Sequence, residues 1–253
     1  MGRNGAHEVT AEIGASPEAS VPAEGDSALG RVVGVFFSPS RTFASIAARP
    51  TWIAPLLLWT AVSLLFTAVL LPKIDYEKAI RQAMEKRGQT VPEERMASIV
   101  ETQKKVSTVI GWVIGACAPV LVTLLVAVVY WGVFKAFGWE ATFRQARGAT
   151  AHAFLPAVLG SLLAIPLLAR LDRVDPAAIG DMLRSNLGFL VERDSKALHS
   201  LLSSIDVFSF WSLLLLTFGF AAAAKVRRGQ AAGVIVGIWA IYVIGKAGIS
   251  AIF

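Results

Sequence analysis

The sequence predicts an all-α fold, a polytopic membrane bundle of five transmembrane helices with short amphipathic interfacial helices. Three observations predict it. Of the 253 residues 55% are hydrophobic and only 17% charged, against about 25% charged in an average soluble domain, and the mean hydropathy is +0.60. The apolar residues gather into runs near the roughly 20 residues that a helix needs to cross a bilayer core. The charges gather between those runs, basic in the short loops and near-balanced in the long ones.

Residues 1–28 come first and read as a disordered cytoplasmic tail. They carry Glu8, Glu12, Glu18, Glu24 and Asp26 against Arg3, with too little apolar side chain to offset the entropy of ordering. They contain no apolar core of a secretory signal. From Arg31 to Arg49 the wording changes. Val32, Val33, Val35, Phe36 and Phe37 precede Ser38-Pro39, an N-cap followed by a first-turn proline. Phe43, Ile46 and Ala47 then recur at helical spacing, as in a short helix lying in the membrane interface.

The membrane domain is expected over residues 29–253, with spans at about 52–71, 108–135, 149–169, 207–224 and 231–252. The first is uncharged, with Trp52 at its start. The second has Tyr130, Trp131 and Trp139 near its far end, as interfacial aromatics do, and Pro119 inside it as a candidate kink. Pro156 and Pro166 are tolerable in the third because neighbouring helices can satisfy the freed backbone groups. The fourth and fifth are joined by a short basic turn.

Three short segments hold most of the uncompensated charge: Arg31, Arg41 and Arg49; Lys135, Arg144 and Arg147 against Glu140; and Lys225, Arg227 and Arg228. Five spans put all three on one side, which the positive-inside rule makes cytoplasmic. The expected topology is therefore N-terminus in the cytoplasm and C-terminus outside. The long segments, Pro72–Lys105 with eight basic and six acidic residues and Arg170–Ile205 with five of each, then share the outer side. Tyr76, Ile80 and Met84, then Met96, Ile99 and Val100, and after Asp175-Pro176 Ile179, Leu183 and Leu187 predict amphipathic helices there.

Catalytic signals are poor. His7, His152 and His199 lack metal-ligand spacing, and no hydrolase elbow, zinc helix or phosphate loop occurs, so neither cofactor nor metal is expected. The net charge of +6 comes without a basic patch of interleaved aromatics, which argues against nucleic acid. The single cysteine, Cys117, lies in an apolar run and cannot form an internal disulfide. Intramembrane ionisable residues are the functional candidates. His152 suits a proton relay or a structural hydrogen bond. Asp206 and Lys246 both fall towards the outer interface on adjacent helices, and either meet each other, directly or through water, or leave Lys246 to snorkel alone. Gly229, Gly233, Gly237 and Gly245 share one face of the fifth span, and Gly111 and Gly115 one face of the second. Such smooth faces serve internal packing or a seam with a second copy.

Several segments together resemble the Yip1 domain family in its bacterial form. They are Phe37-Ser38-Pro39-Ser40-Arg41-Thr42-Phe43, Arg49-Pro50 and Trp52; Gly138, Thr142-Phe143-Arg144-Gln145 and Pro156; and Asp206-Val207-Phe208, Trp211, Gly219 and Trp239. The resemblance covers residues 30–253. It implies five spans and a cytoplasmic N-terminus, in a family whose eukaryotic members act in vesicle traffic and bind prenylated GTPases. The expectation is a non-enzymatic scaffold or membrane-organising protein of a bacterial inner membrane. Its partners would be the lipid bilayer and a membrane protein or a second copy of the chain. The alternative is a small transporter or channel using Asp206, Lys246 and His152.

Overall fold

A computed structural model describes residues 27–85, 87–90, 92–192 and 195–252. The expected tail falls outside these residues, apart from Ser27 and Ala28. Among the described residues ten α-helices follow in order: α1 Ala28–Phe37, α2 Pro39–Ala48, α3 Ile53–Leu70, α4 Tyr76–Glu85, α5 Glu93–Ala136, α6 Phe143–Ala153, α7 Leu155–Ala169, α8 Lys196–Leu202, α9 Val207–Ala224 and α10 Arg228–Ile252. Among the described residues there are no strands, only isolated bridges pairing Ile74 with Val174 and Asn186 with Asp206.

Among the described residues five helical stretches are long and apolar enough to cross a membrane: Ile53–Lys73, Glu93–Ala136, Phe143–Ala169, Val207–Ala224 and Arg228–Ile252. The second begins well before the expected residue 108. Nothing after Pro92 breaks the helix, so its first four turns are polar and project beyond the apolar run. The third is two helices, α6 and α7. Pro156 has no N–H to offer the carbonyl of His152, and the Phe154 N–H closes α6 on the Thr150 carbonyl at 3.2 Å.

The core lies among α2, α5, α6, α9 and α10, around Phe43, Phe134, Leu215, Phe220 and Ile235, all at most 1% exposed. Small residues let the helices close. A Cβ on Gly219 would stand 2.7 Å from the Ala149 Cβ, and one on Gly115 would stand 2.7 Å from Thr67 Oγ1. Pro39 does open α2, but the Ser38 side chain makes no capping bond. α1 and α2 form a helical hairpin, with Gly34 closed against Thr42. The face of α2 carrying Phe43 and Ile46 is covered by α6 and α9, while Leu29, Val33 and Phe37 leave the apolar face of α1 open. Thus α2 turns to the bundle, while α1 buries only Arg31 and Val35 and turns its apolar face outward.

At the opposite end the long segments build a cap. Lys73 donates to the carbonyls of Ala169 and Leu171, Lys78 pairs with Asp175 at 3.0 Å, and Arg173 pairs with Asp75 at 3.7 Å. After Pro176 the chain forms two short 3-10 turns, Pro176–Asp181 and Leu187–Leu190, in place of the expected amphipathic helix. The Asn186 side chain caps the Gly188 N–H, and the bridge to Asp206 holds the backbone extended there.

Candidate functional site

The singled-out ionisable residues occupy separate places. Asp206 lies at the capped end as the N-cap of α9. Its Oδ1 accepts from the Ser209 N–H at 3.0 Å and its Oδ2 from the Ser185 hydroxyl. Both oxygens are therefore engaged by the helix start and the bridge beside it, as the orphan donors of a helix N-terminus favour. Lys246 lies eighteen residues along α10 from Arg228, or about 27 Å at 1.5 Å per residue. Its ammonium donates to Ser204 Oγ at 2.8 Å, and Ser204 donates in turn to the Ser200 carbonyl at 2.9 Å. The lysine thus reaches the segment two residues before Asp206 and ties α10 to α8. The chain Lys246–Ser204–Ser200 is what the structure sets beside Asp206, and an Asp206–Lys246 ion pair is absent among the described residues.

His152 sits one residue from the end of α6, 1% exposed. Its Nδ1 lies 2.9 Å from the Gly148 carbonyl. A carbonyl only accepts, so Nδ1 carries the proton and donates. The break at Phe154 follows directly, and the Phe154 ring rests against Trp59 at 5.2 Å.

The glycine face of α10 is open. A Cβ added at Gly229, Gly233, Gly237 or Gly245 would meet nothing within 4 Å. Elsewhere α10 buries Ala231, Ile235, Val243 and Ala247, and the Tyr130 hydroxyl donates to the Ile235 carbonyl at 3.1 Å. Close internal packing by glycine occurs on other helices: Gly111 against Leu71, Gly115 against Thr67, Gly160 against Phe208 and Gly219 against Ala149.

Two features escape a reading of the sequence. At the capped end a cavity of about 570 Å³ is lined by Asp181, Arg184, Phe189, Glu192 and His199 among others, and His199 Nε2 stands 3.1 Å from Asp181 Oδ2. These residues have no periodic relation that would announce them. At the other end Arg31 is 3% exposed, and donates to the Arg49 carbonyl at 2.8 Å and to Thr51 Oγ1 at 2.9 Å. By charge alone it was one more loop arginine.

That end gathers all three basic segments. Arg228 donates to Ser40 Oγ at 3.0 Å, Gln145 donates to the Ala47 carbonyl at 2.9 Å, and the Arg147 guanidinium lies 4.1 Å over the Trp52 ring. The Thr142–Gln145 capping box that starts α6 positions both Gln145 and Arg147.

The profile of the Yip1 domain family matches residues 33–249. The chain is also similar to Membrane protein YknW of Bacillus subtilis (strain 168), with 26% identity over 195 residues, covering 77% of this chain and 79% of the relative. No solved structure matches it.

Proposed function

Because this chain belongs to the Yip1 domain family, we propose that it is a non-enzymatic scaffold or organiser of the membrane in which it sits, binding another helix through the glycine face of α10. The observation that carries this reading is the open space around Gly229, Gly233 and Gly237, on a helix that packs on the core elsewhere. A smooth face lets a second backbone approach closely, where dispersion and weak hydrogen bonds accumulate. The partner is a membrane protein or a second copy of the chain. The basic end faces the cytoplasm on this reading, by the positive-inside rule, and the capped end and the C-terminus face outward.

A transport path through Asp206, Lys246 and His152 gathers less support. Asp206 is occupied as a helix cap and Lys246 by Ser204, while the His152 Nδ1 proton is held by its own helix.

The test is a photo-crosslinking residue placed at Val236 or Ile241, both exposed beside the glycine stripe, in native membranes. A discrete adduct is expected, and Gly233→Leu with Gly237→Leu should abolish it while leaving the protein folded. An adduct that survives both leucines, or none at all, would sink the reading.

A further inference from the structure

The two ends of the bundle treat their cations differently. At the capped end the chain supplies its own counter-charges: Lys78 has Asp175, Arg81 has Glu77 and Glu93, Lys105 has Glu101 and Arg173 has Asp75. At the basic end it supplies almost none. Residues 27–52, 131–151 and 221–232 contain one acid, Glu140, against nine lysines and arginines. Arg31, Arg147 and Arg228 are engaged internally by Thr51, Trp52 and Ser40 respectively. Arg41, Lys135, Arg144, Lys225 and Arg227 are exposed, and among the described residues no carboxylate pairs with any of them.

Their placement gives the partner. Lys135 is in the last turn of α5, and Arg144 is in the first turn of α6. Lys225 caps α9 in the left-handed conformation at φ 55°, and Arg227 follows it in the turn to α10. The Arg228–Ser40 bond brings the start of α2, and hence Arg41, to that same turn. All five thus stand where membrane-spanning helices end, at headgroup level. Exposed aromatic surface accompanies them, with Phe137 61% exposed and stacked on Trp139 at 5.2 Å. Clustered cations at the ends of spans, beside aromatics that settle at the interface, match the chemistry of an anionic leaflet.

We propose that the basic end is a binding surface for anionic phospholipid headgroups, centred on Arg41, Lys225 and Arg227 and extended by Lys135 and Arg144. Arginine holds a phosphate through paired N–H donors and lysine holds it as a point charge. The surface binds headgroups of the bilayer that surrounds the protein, and it does not depend on which leaflet that end faces or on the role assigned to the α10 face.

The test uses the purified full-length chain in nanodiscs containing equal phosphatidylglycerol and phosphatidylcholine, with retained lipids counted by native mass spectrometry. Wild type should retain phosphatidylglycerol preferentially. Each exposed cation near an anionic surface contributes about fivefold in affinity, so Arg41→Gln, Lys225→Gln and Arg227→Gln together should lower that preference by about tenfold or more. Arg95→Gln with Lys104→Gln, at the capped end, should leave it unchanged. Equal retention of the two lipids by wild type overturns the proposal, as does a preference that survives the triple change. A preference seen only after Glu8, Glu12, Glu18, Glu24 and Asp26 are made amides also overturns it, and assigns the cations to the chain's own acidic segment.

Discussion

Adding one methyl group at two glycines of this bundle should have opposite effects. In Gly219→Ala the new Cβ meets the Ala149 Cβ at 2.7 Å and the Phe43 ring at 3.1 Å, where carbon atoms prefer about 3.5–4.0 Å. Neither neighbour yields easily. The Ala149 Cβ has no rotamer to change, and Phe43 is 1% exposed. α6 and α9 must therefore part by close to 1 Å, loosening α2 as well. Overpacking of this kind costs about 1–3 kcal/mol, while replacing glycine by alanine within a helix returns about 0.5–1 kcal/mol. The net expectation is a loss of about 1–2 kcal/mol. Gly237→Ala meets nothing within 4 Å and keeps only the gain. The assay is denaturant titration in mild detergent micelles at a dilution that keeps the chain monomeric, followed by helical circular dichroism. Ala149→Gly added to Gly219→Ala should recover most of the loss, since it removes the opposing methyl. Equal midpoints for the two single variants, or no recovery in the double, would refute the packing argument.

Four further outcomes are expected. Ser204→Ala should cost about 1–3 kcal/mol by leaving the Lys246 ammonium without its acceptor, and a double-mutant cycle with Lys246→Met should show a coupling above about 0.5 kcal/mol, larger than the cycle pairing Asp206 with Lys246. Asp206→Ala should cost about 1–2 kcal/mol through the lost cap of α9, and Asp206→Asn much less. Gln145→Ala removes bonds to the Thr142 N–H and to the Ala47 carbonyl and should cost about 1–2 kcal/mol, read as a lower thermal midpoint. Burial pushes the Tyr76 hydroxyl above its ordinary value of 10.0, with Thr108 pulling weakly the other way. The folded state then holds this proton more tightly than the unfolded one, so the contribution is complete below pH 10 and declines as pH rises past it. Tyr76→Phe should remove that decline from a stability profile between pH 9 and 11.

The spans were legible because hydrocarbon leaves the backbone few choices. Each N–H and C=O must be satisfied within the segment, so a long apolar run is a helix whatever its neighbours are. Punctuation was legible too. Pro39 opens α2, because a first-turn proline is a signal carried by the residues of one turn. The continuity of α5 was not legible: Met96, Ile99 and Val100 announce an amphipathic helix after Pro92, but nothing in one segment says that this helix and the apolar run after it are one. The two short turns after Pro176 were missed because the bridge to Asp206, twenty residues away in the chain, overrides a local helical pattern.

The sequence by itself determined how many times the chain can cross a membrane, where its cations collect and which helix faces are smooth. Those properties follow from composition and spacing along one dimension. The tertiary structure alone decided what each face meets. Gly219 and Gly115 are buried against neighbours while Gly233 and Gly237 are open, although the residue type is the same. It also decided that Lys246 finds Ser204 beside Asp206 and that Arg31 is buried. Each depends on the rotation of one helix about its axis relative to the next. That rotation is fixed by the packing of side chains from different segments, which spacing within one segment does not specify.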